Sequence, residues 1–284
     1  MPSRPAKRLP VPTAVLIAAV VVAIGALALL WAVRPSNDRD WSPDQARLPT
    51  AAFDGDRVTV RNVRNAHYRS VDDFDVHWET REYALSELES AWFVVEPFAD
   101  WRGPAHTFLS FGFRDGRHLA VSAEVRRQRG EHFSALKGLL RRYELMIVIG
   151  DERDLIGLRA LHRRDDVFLY RLKANPEQAQ ALFAHLMAKA NRLATEPAFY
   201  NTISANCTTT ITDAVELLRP GTVPLSWRTW LPGYSDDLAF DLGLIDTDLP
   251  RATFREAHRI NALAERGHQA QDPAQDFSAV IRGR

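Results

Sequence analysis

An α+β fold, an antiparallel sheet with helices packed on it behind one N-terminal membrane-spanning helix, is what this sequence predicts. Three observations carry that expectation. Several short runs alternate apolar and polar residues, and two of them flank Asp115-Gly116, a strong hairpin signal. A segment opened by Asn175-Pro176 carries an apolar stripe at helical spacing. Ala14 to Val33 is an uncharged apolar run of 20 residues, long enough to cross a bilayer as a helix.

That run sets the compartment. Arg4, Lys7 and Arg8 precede it, whereas Arg34, Asp38, Arg39 and Asp40 follow with mixed sign. The positive-inside bias puts residues 1–13 in the cytoplasm, residues 14–33 in a bacterial inner membrane and the rest outside. A cleaved signal peptide is the rival reading. The run exceeds the usual apolar core of such peptides, although Ala26, Ala28 and Ala32 resemble cleavage positions.

Of the 284 residues, 46% are hydrophobic and 25% charged, with a formal net charge of +0. This is ordinary globular composition without a nucleic-acid footprint. Residues 34–55, rich in Pro, Ser, Asp and Arg, read as a linker. Residues 56–246 read as the exported domain, and 247–284 as a C-terminal helix (Leu249 to Arg266) followed from Gly267 by a polar, loose tail.

Within the domain, Arg57–Val63 and Phe74–Thr80 alternate as half-buried strands do. Tyr83–Ser90 reads as a short helix or turn, and Ala91–Phe98 as a more central strand. His106–Phe113 and His118–Arg126 form the hairpin. A two-residue turn pairing Arg114 with Arg117 sets His106 opposite Val125 and Thr107 opposite Glu124. Phe133–Leu140 is a short helix, Tyr143–Ile149 a continuous apolar strand closed by Gly150–Asp154, and Val167–Leu172 another strand. The long helix runs from Asn175 to about Ala194, and the next begins at Asn206-Cys207 and stops at Pro220-Gly221. Ser235 to Leu242 opens one more short helix.

Cys207 is the only cysteine. Asn206 is a good N-cap, which puts the Cys207 sulfur in a first helical turn, where free N–H groups and the helix dipole favour a thiolate. A lone thiol in an exported domain has no intrachain disulfide partner, which raises a reactive role above that of a small buried filler. A thiol nucleophile needs a base. Of the nine histidines, His67, His77, His118, His132, His162, His185, His258 and His268 fall on exposed faces, turns or loops. His106 opens a strongly apolar strand and is the expected base, with a satisfied core histidine as the alternative. No Cys-x-x-Cys or His-x-x-x-His appears, and no glycine-rich phosphate loop or Gly-x-Ser-x-Gly elbow, so no metal or cofactor is expected. Arg126–Arg129 and Arg141-Arg142 read as solvated faces that a membrane-anchored protein could present to anionic headgroups. Trp227 and Trp230 read as core or lid, placed to line an acyl or glycan pocket.

Histidine on a strand, a polar residue on the return strand, then Asn-Cys opening a helix resembles the circularly permuted papain-like enzymes, including the lecithin:retinol acyltransferase group. More closely, several stretches resemble the bacterial Lnb N-terminal periplasmic domain family, long catalogued as a domain of unknown function. They are Arg61–Asn65, His106–Phe113, Ser122–Arg126, Glu152–Ile156 with Leu158-Arg159, and Phe199–Thr202 with Asn206–Thr209, within roughly Asp56 to Leu218. The resemblance implies a permuted papain-like fold and a periplasmic location. It also implies a hydrolase or acyltransferase acting on an amide or ester of a cell-wall peptide, lipid or lipoprotein. Cys207 would then be the nucleophile, His106 the base and Asn206 a helix cap or oxyanion donor. Acyltransferase relatives use a second histidine as third group, whereas this return strand offers Ser122 and Glu124. Glu124 is the choice, because a carboxylate orients imidazole. The competing expectation is a non-catalytic binding or envelope-assembly module with Cys207 merely buried.

Overall fold

A computed structural model describes residues 11–224, 226–269 and 277–283. The chain divides into Met1–Ser36 and Asn37–Arg284. In the first unit α1 spans Val11–Ala32, 22 residues without an acid in its first turn or a base in its last. At 1.5 Å per residue that is about 33 Å. Only part of its side chains are described, and among the described residues no helix is long and apolar enough to cross a membrane.

The second unit holds strands β1 (Thr50–Asp54), β2 (Arg57–Tyr68), β3 (Phe74–Ala84), β4 (Leu88–Pro97), β5 (Ala105–Phe113) and β6 (His118–Arg126). Then come α2 (Ala135–Leu139), β7 (Glu144–Gly150), α3 (Glu152–Gly157), a π-helical turn Leu158–Arg163, and β8 (Phe168–Arg171). Helices α4 (Pro176–Thr195), α5 (Cys207–Leu218), α6 (Trp227–Trp230), α7 (Ser235–Asp241), α8 (Phe254–Ala257), α9 (Asn261–Gln269) and α10 (Phe277–Val280) follow.

The strands form one sheet, ordered β1-β2-β7-β6-β5-β4-β8, with β3 on the other side of β2. It is mixed rather than purely antiparallel, because β2 and β7 meet in parallel at Arg64 and Gly150. A Cβ at Gly150 would stand 2.7 Å from the Arg64 carbonyl oxygen, so only glycine permits that approach. Helices cover both faces. Phe93, Leu109, Phe111, Val121 and Ile147 pack one face under α4 and α5. Phe108, Met146 and Val148 pack the other with Leu155, Ile156, Ile260 and Phe277.

Three expectations change. Residues 37–54 are part of the domain rather than linker: Trp41, Asp44 and Gln45 are buried, and β1 joins the sheet. What holds them is Arg126, buried rather than solvated, which donates to the Gln45 and Ala46 carbonyls and stacks on Trp41 at 4.1 Å. Tyr83–Ser90 is the end of β3, a 3-10 turn and the start of β4. The C-terminal part holds two short helices over 254–269 in place of one, and it is not loose where it is described. Phe277 and Ile281 are in the core, and the Arg282 guanidinium donates to Glu152 at 2.7 and 2.8 Å. Burial would raise the Glu152 carboxyl, but Arg282 and a hydrogen bond from Ser110 outweigh it and hold it down at about 2. Glu152 therefore contributes stability above the ordinary carboxylate range, lost as pH falls toward 2.

Candidate active site

The hairpin decides what faces His106. Asp115-Gly116 does not form a two-residue turn. The Phe113 N–H donates to the Arg117 carbonyl at 2.9 Å, and the Gly116 N–H to the Phe113 carbonyl at 3.0 Å. The loop is thus Arg114–Gly116, with Gly116 left-handed at φ 87. The extra residue shifts the register by one: Gly112 pairs with His118 and Leu109 with Val121. Continued past Leu109, that register sets His106 level with Glu124 instead of Val125, on the same face.

Beyond the Leu109–Val121 rung β5 and β6 stop pairing, although β4 still pairs with β5 to Ala105 and β7 with β6 to Arg126. The two strands part in the middle of the sheet. A cleft of about 540 Å³ runs through the parting, lined by His106 and Ala105 on one side and Ala123 and Glu124 on the other. From one face α5 brings Cys207, beside Tyr200; from the other the π-helical turn brings Arg159, His162 and Arg163. The separated strands therefore put a thiol and an imidazole attached to opposite faces into one cleft.

His106 Nε2 lies 2.7 Å from Ser122 Oγ and 3.8 Å from Glu124 Oε1. Among the described residues Nδ1 makes no hydrogen bond. Burial, and then the charge of Arg159, push the imidazole down to about 3, so it is neutral across the physiological range. The nearby carboxylate favours the tautomer with hydrogen on Nε2, which leaves the Nδ1 lone pair open. Burial would raise Glu124, but the charges of Arg159 and Arg64 hold it well below the usual carboxylate range. The Arg159 guanidinium bridges two acids, donating to Glu124 at 2.9 Å and to Glu96 at 2.6 Å, and also to the Leu155 carbonyl at 2.7 Å. Glu96 pairs with His106 across β4 and β5 and is fully buried, and burial pushes it up to about 7 against Arg159 and Arg163.

Cys207 is 6% exposed at the first residue of α5. Its sulfur is 3.9 Å from Thr208 Oγ1, and no hydrogen bond joins it to His106. Asn206 forms the expected cap, its Oδ1 accepting from the Thr209 N–H at 2.9 Å while Thr209 Oγ1 accepts from the Asn206 N–H at 2.8 Å. Its side-chain amide donates to the Thr202 carbonyl at 2.8 Å, which fixes the turn before the cysteine. A first-turn cysteine also leaves the N–H groups of Cys207 and Thr208 without intrahelical acceptors. Behind α5 an apolar slot runs along Thr208, Ile211 and Val215 to Leu238 and Leu242. Among the described residues no cluster of three or more His, Cys, Asp and Glu is arranged to hold a metal ion.

Sequence reading named Cys207, His106, Glu124 and Asn206, and all but Asn206 line this cleft. It missed Arg159 and Glu96. Arg159 had a signal, its place beside Leu158 in one of the stretches that carry the family resemblance. Glu96, inside an apolar strand, was an acid where a buried strand disfavours one.

Residues 74–233 match the family model of the Lnb N-terminal periplasmic domain, a span that contains His106, Glu124 and Cys207. No curated protein and no solved structure matches the chain.

Proposed function

The chain belongs to the Lnb N-terminal periplasmic domain family, and from that premise we propose that it is a thiol-dependent acyl-transfer enzyme of the periplasm, held to the inner membrane by α1. The observation that carries this reading is the cleft between β5 and β6, where Cys207, a neutral His106 and an ionised Glu124 share one wall-to-wall space. Cys207 Sγ attacks the carbonyl carbon of an amide or ester as its proton passes to His106 Nδ1. Ser122 accepts the Nε2–H at 2.7 Å with the Glu124 carboxylate 3.8 Å away, which leaves the Nδ1 lone pair to take the proton. The first-turn N–H groups of α5 offer donors to the oxyanion. As the tetrahedral centre collapses to a thioester, His106 returns the proton to the leaving amine or alcohol. Water or a second nucleophile then releases the acyl group.

Alkylation of Cys207 by iodoacetamide tests this in the full chain. General-base assistance is typically worth 10² to 10⁴, so His106→Ala is expected to slow labelling near neutral pH by roughly a hundredfold. Equal rates in the two proteins, both folded, would make Cys207 an inert filler and leave a binding module.

A further inference from the structure

The cleft opens through an unusually apolar rim. Among the described residues from Asn37 onward, twelve large hydrophobic side chains are exposed, and nine of them belong to four neighbouring segments. These are the β4–β5 loop (Phe98, Trp101), the α2 region (Phe133, Leu136, Leu139, Leu140), the turn before α5 (Ile203), and α6 (Trp227, Trp230). Single exposed apolar residues are normal; a contiguous set marks a surface with a partner.

The segments touch one another. Phe98 meets Phe133 edge-on at 6.2 Å, and both line the cleft. Asn201 donates to the Leu139 carbonyl at 3.5 Å, which joins α2 to the turn holding Ile203. On the other side the Gly233 N–H donates to the Gly103 carbonyl at 3.0 Å, Arg102 stacks over Tyr234 at 4.6 Å, and Trp227 packs edge-on to Tyr234 at 5.0 Å. Trp230 is 73% exposed and Ile203 59%.

We propose that this rim docks the domain on an anionic lipid bilayer, with the mouth of the Cys207 cleft against the membrane surface. Mixed Trp, Phe and Leu with cations at the edge is the composition of an interfacial surface. Along residues 131–142 Lys137, Arg141 and Arg142 face one acid, Glu131, so the charge is complementary to anionic headgroups. The compact unit begins five residues after α1 ends, so a domain tethered through that helix stays within roughly 18 Å of chain from its bilayer. At such effective concentration even weak interfacial contacts hold the surface down.

The test uses the full chain on a Cys207→Ser background, which removes thiol chemistry from the readout and keeps the result separate from the catalytic reading. Ile203→Cys carries a polarity-sensitive fluorophore. Phe53→Cys, 43% exposed beside the β1–β2 turn and outside the four rim segments, carries the same dye as reference. The proteins are reconstituted into vesicles of phosphatidylcholine with about one-third phosphatidylglycerol and brominated acyl chains. Docking predicts a blue shift at 203 and bromine quenching at least about threefold stronger than at 53. The difference should shrink when Lys137→Glu and Arg142→Glu are introduced. Equal quenching at the two positions overturns the proposal. So does a blue shift at 203 that grows with protein density and takes no bromine quenching, because that is contact between copies.

Discussion

Replacing Arg159 by methionine is expected to destabilise the domain by about 3–5 kcal/mol at pH 7–8, the cost of leaving buried carboxylates without their partner. Two are stranded at once, since Arg159 donates to both Glu124 and Glu96. The pH dependence identifies the cause. With Arg159 gone, the largest counter-charge to the burial of Glu124 is lost, and its pKa is expected to rise above the unfolded value. The stability that carboxyl then contributes is present at acid pH and lost as pH rises. The defect should therefore be largest above neutrality and narrow as pH falls toward 5. Urea unfolding of both proteins at pH 5 and pH 8 measures it, and a gap independent of pH would mean that lost packing, not charge, is responsible. The same variant should slow Cys207 alkylation, because a protonated Glu124 no longer orients the Nε2–H of His106. Arg159→Lys keeps the charge without the two-pronged geometry and should recover only part of either loss.

Arg64→Ala is the second large effect, expected at about 3–5 kcal/mol, or roughly 6–20 °C in Tm. The Arg64 side chain is fully buried and donates twice to Asp154, at 2.8 Å each, and to the Asp44 carbonyl at 3.0 Å. Asp154 also accepts the Ala66 N–H at 2.8 Å. These bonds tie the segment before β1, β2 and α3 into one unit. A double replacement, Arg64→Met with Asp154→Leu, should cost far less than the single one, since it removes the stranded charge. Calorimetry of the three proteins decides; a double variant as unstable as Arg64→Ala would place the cost in the backbone contacts of Ala66 and Asp44 instead.

Local signals located β2 to β8 and the helices α4 and α5, though not β1, because alternation, an N-cap and a helix-starting proline act over a few residues. Asn206 caps as read, and Asn175, read only as opening its helix, caps as well, each with a full capping box. What escaped depends on distance in sequence. The parallel meeting of β2 and β7 links residues 64 and 150, and no local pattern announces it. Trp41 and Arg126 lie in stretches that composition alone marks as linker and surface, yet they bury each other. The helix after β7 was hidden because Glu152, Arg153 and Asp154 look solvated; two of the three are buried by arginines far along the chain. The hairpin is the instructive case. Asp-Gly marks the turn, but one residue of loop length decides which side chain meets His106, and that residue count is a property of the folded turn.

The pairing of Glu152 with Arg282 has a consequence for biogenesis. The two partners are 130 residues apart, and the acid is made first. A chain threaded across a membrane from its N-terminal side delivers β1 to β7 and α3 to the far side while the compensating guanidinium is still behind. Closing the second face of the sheet at that moment would bury an unmatched anion. The unmatched charge thus disfavours closing that face before the late segment arrives.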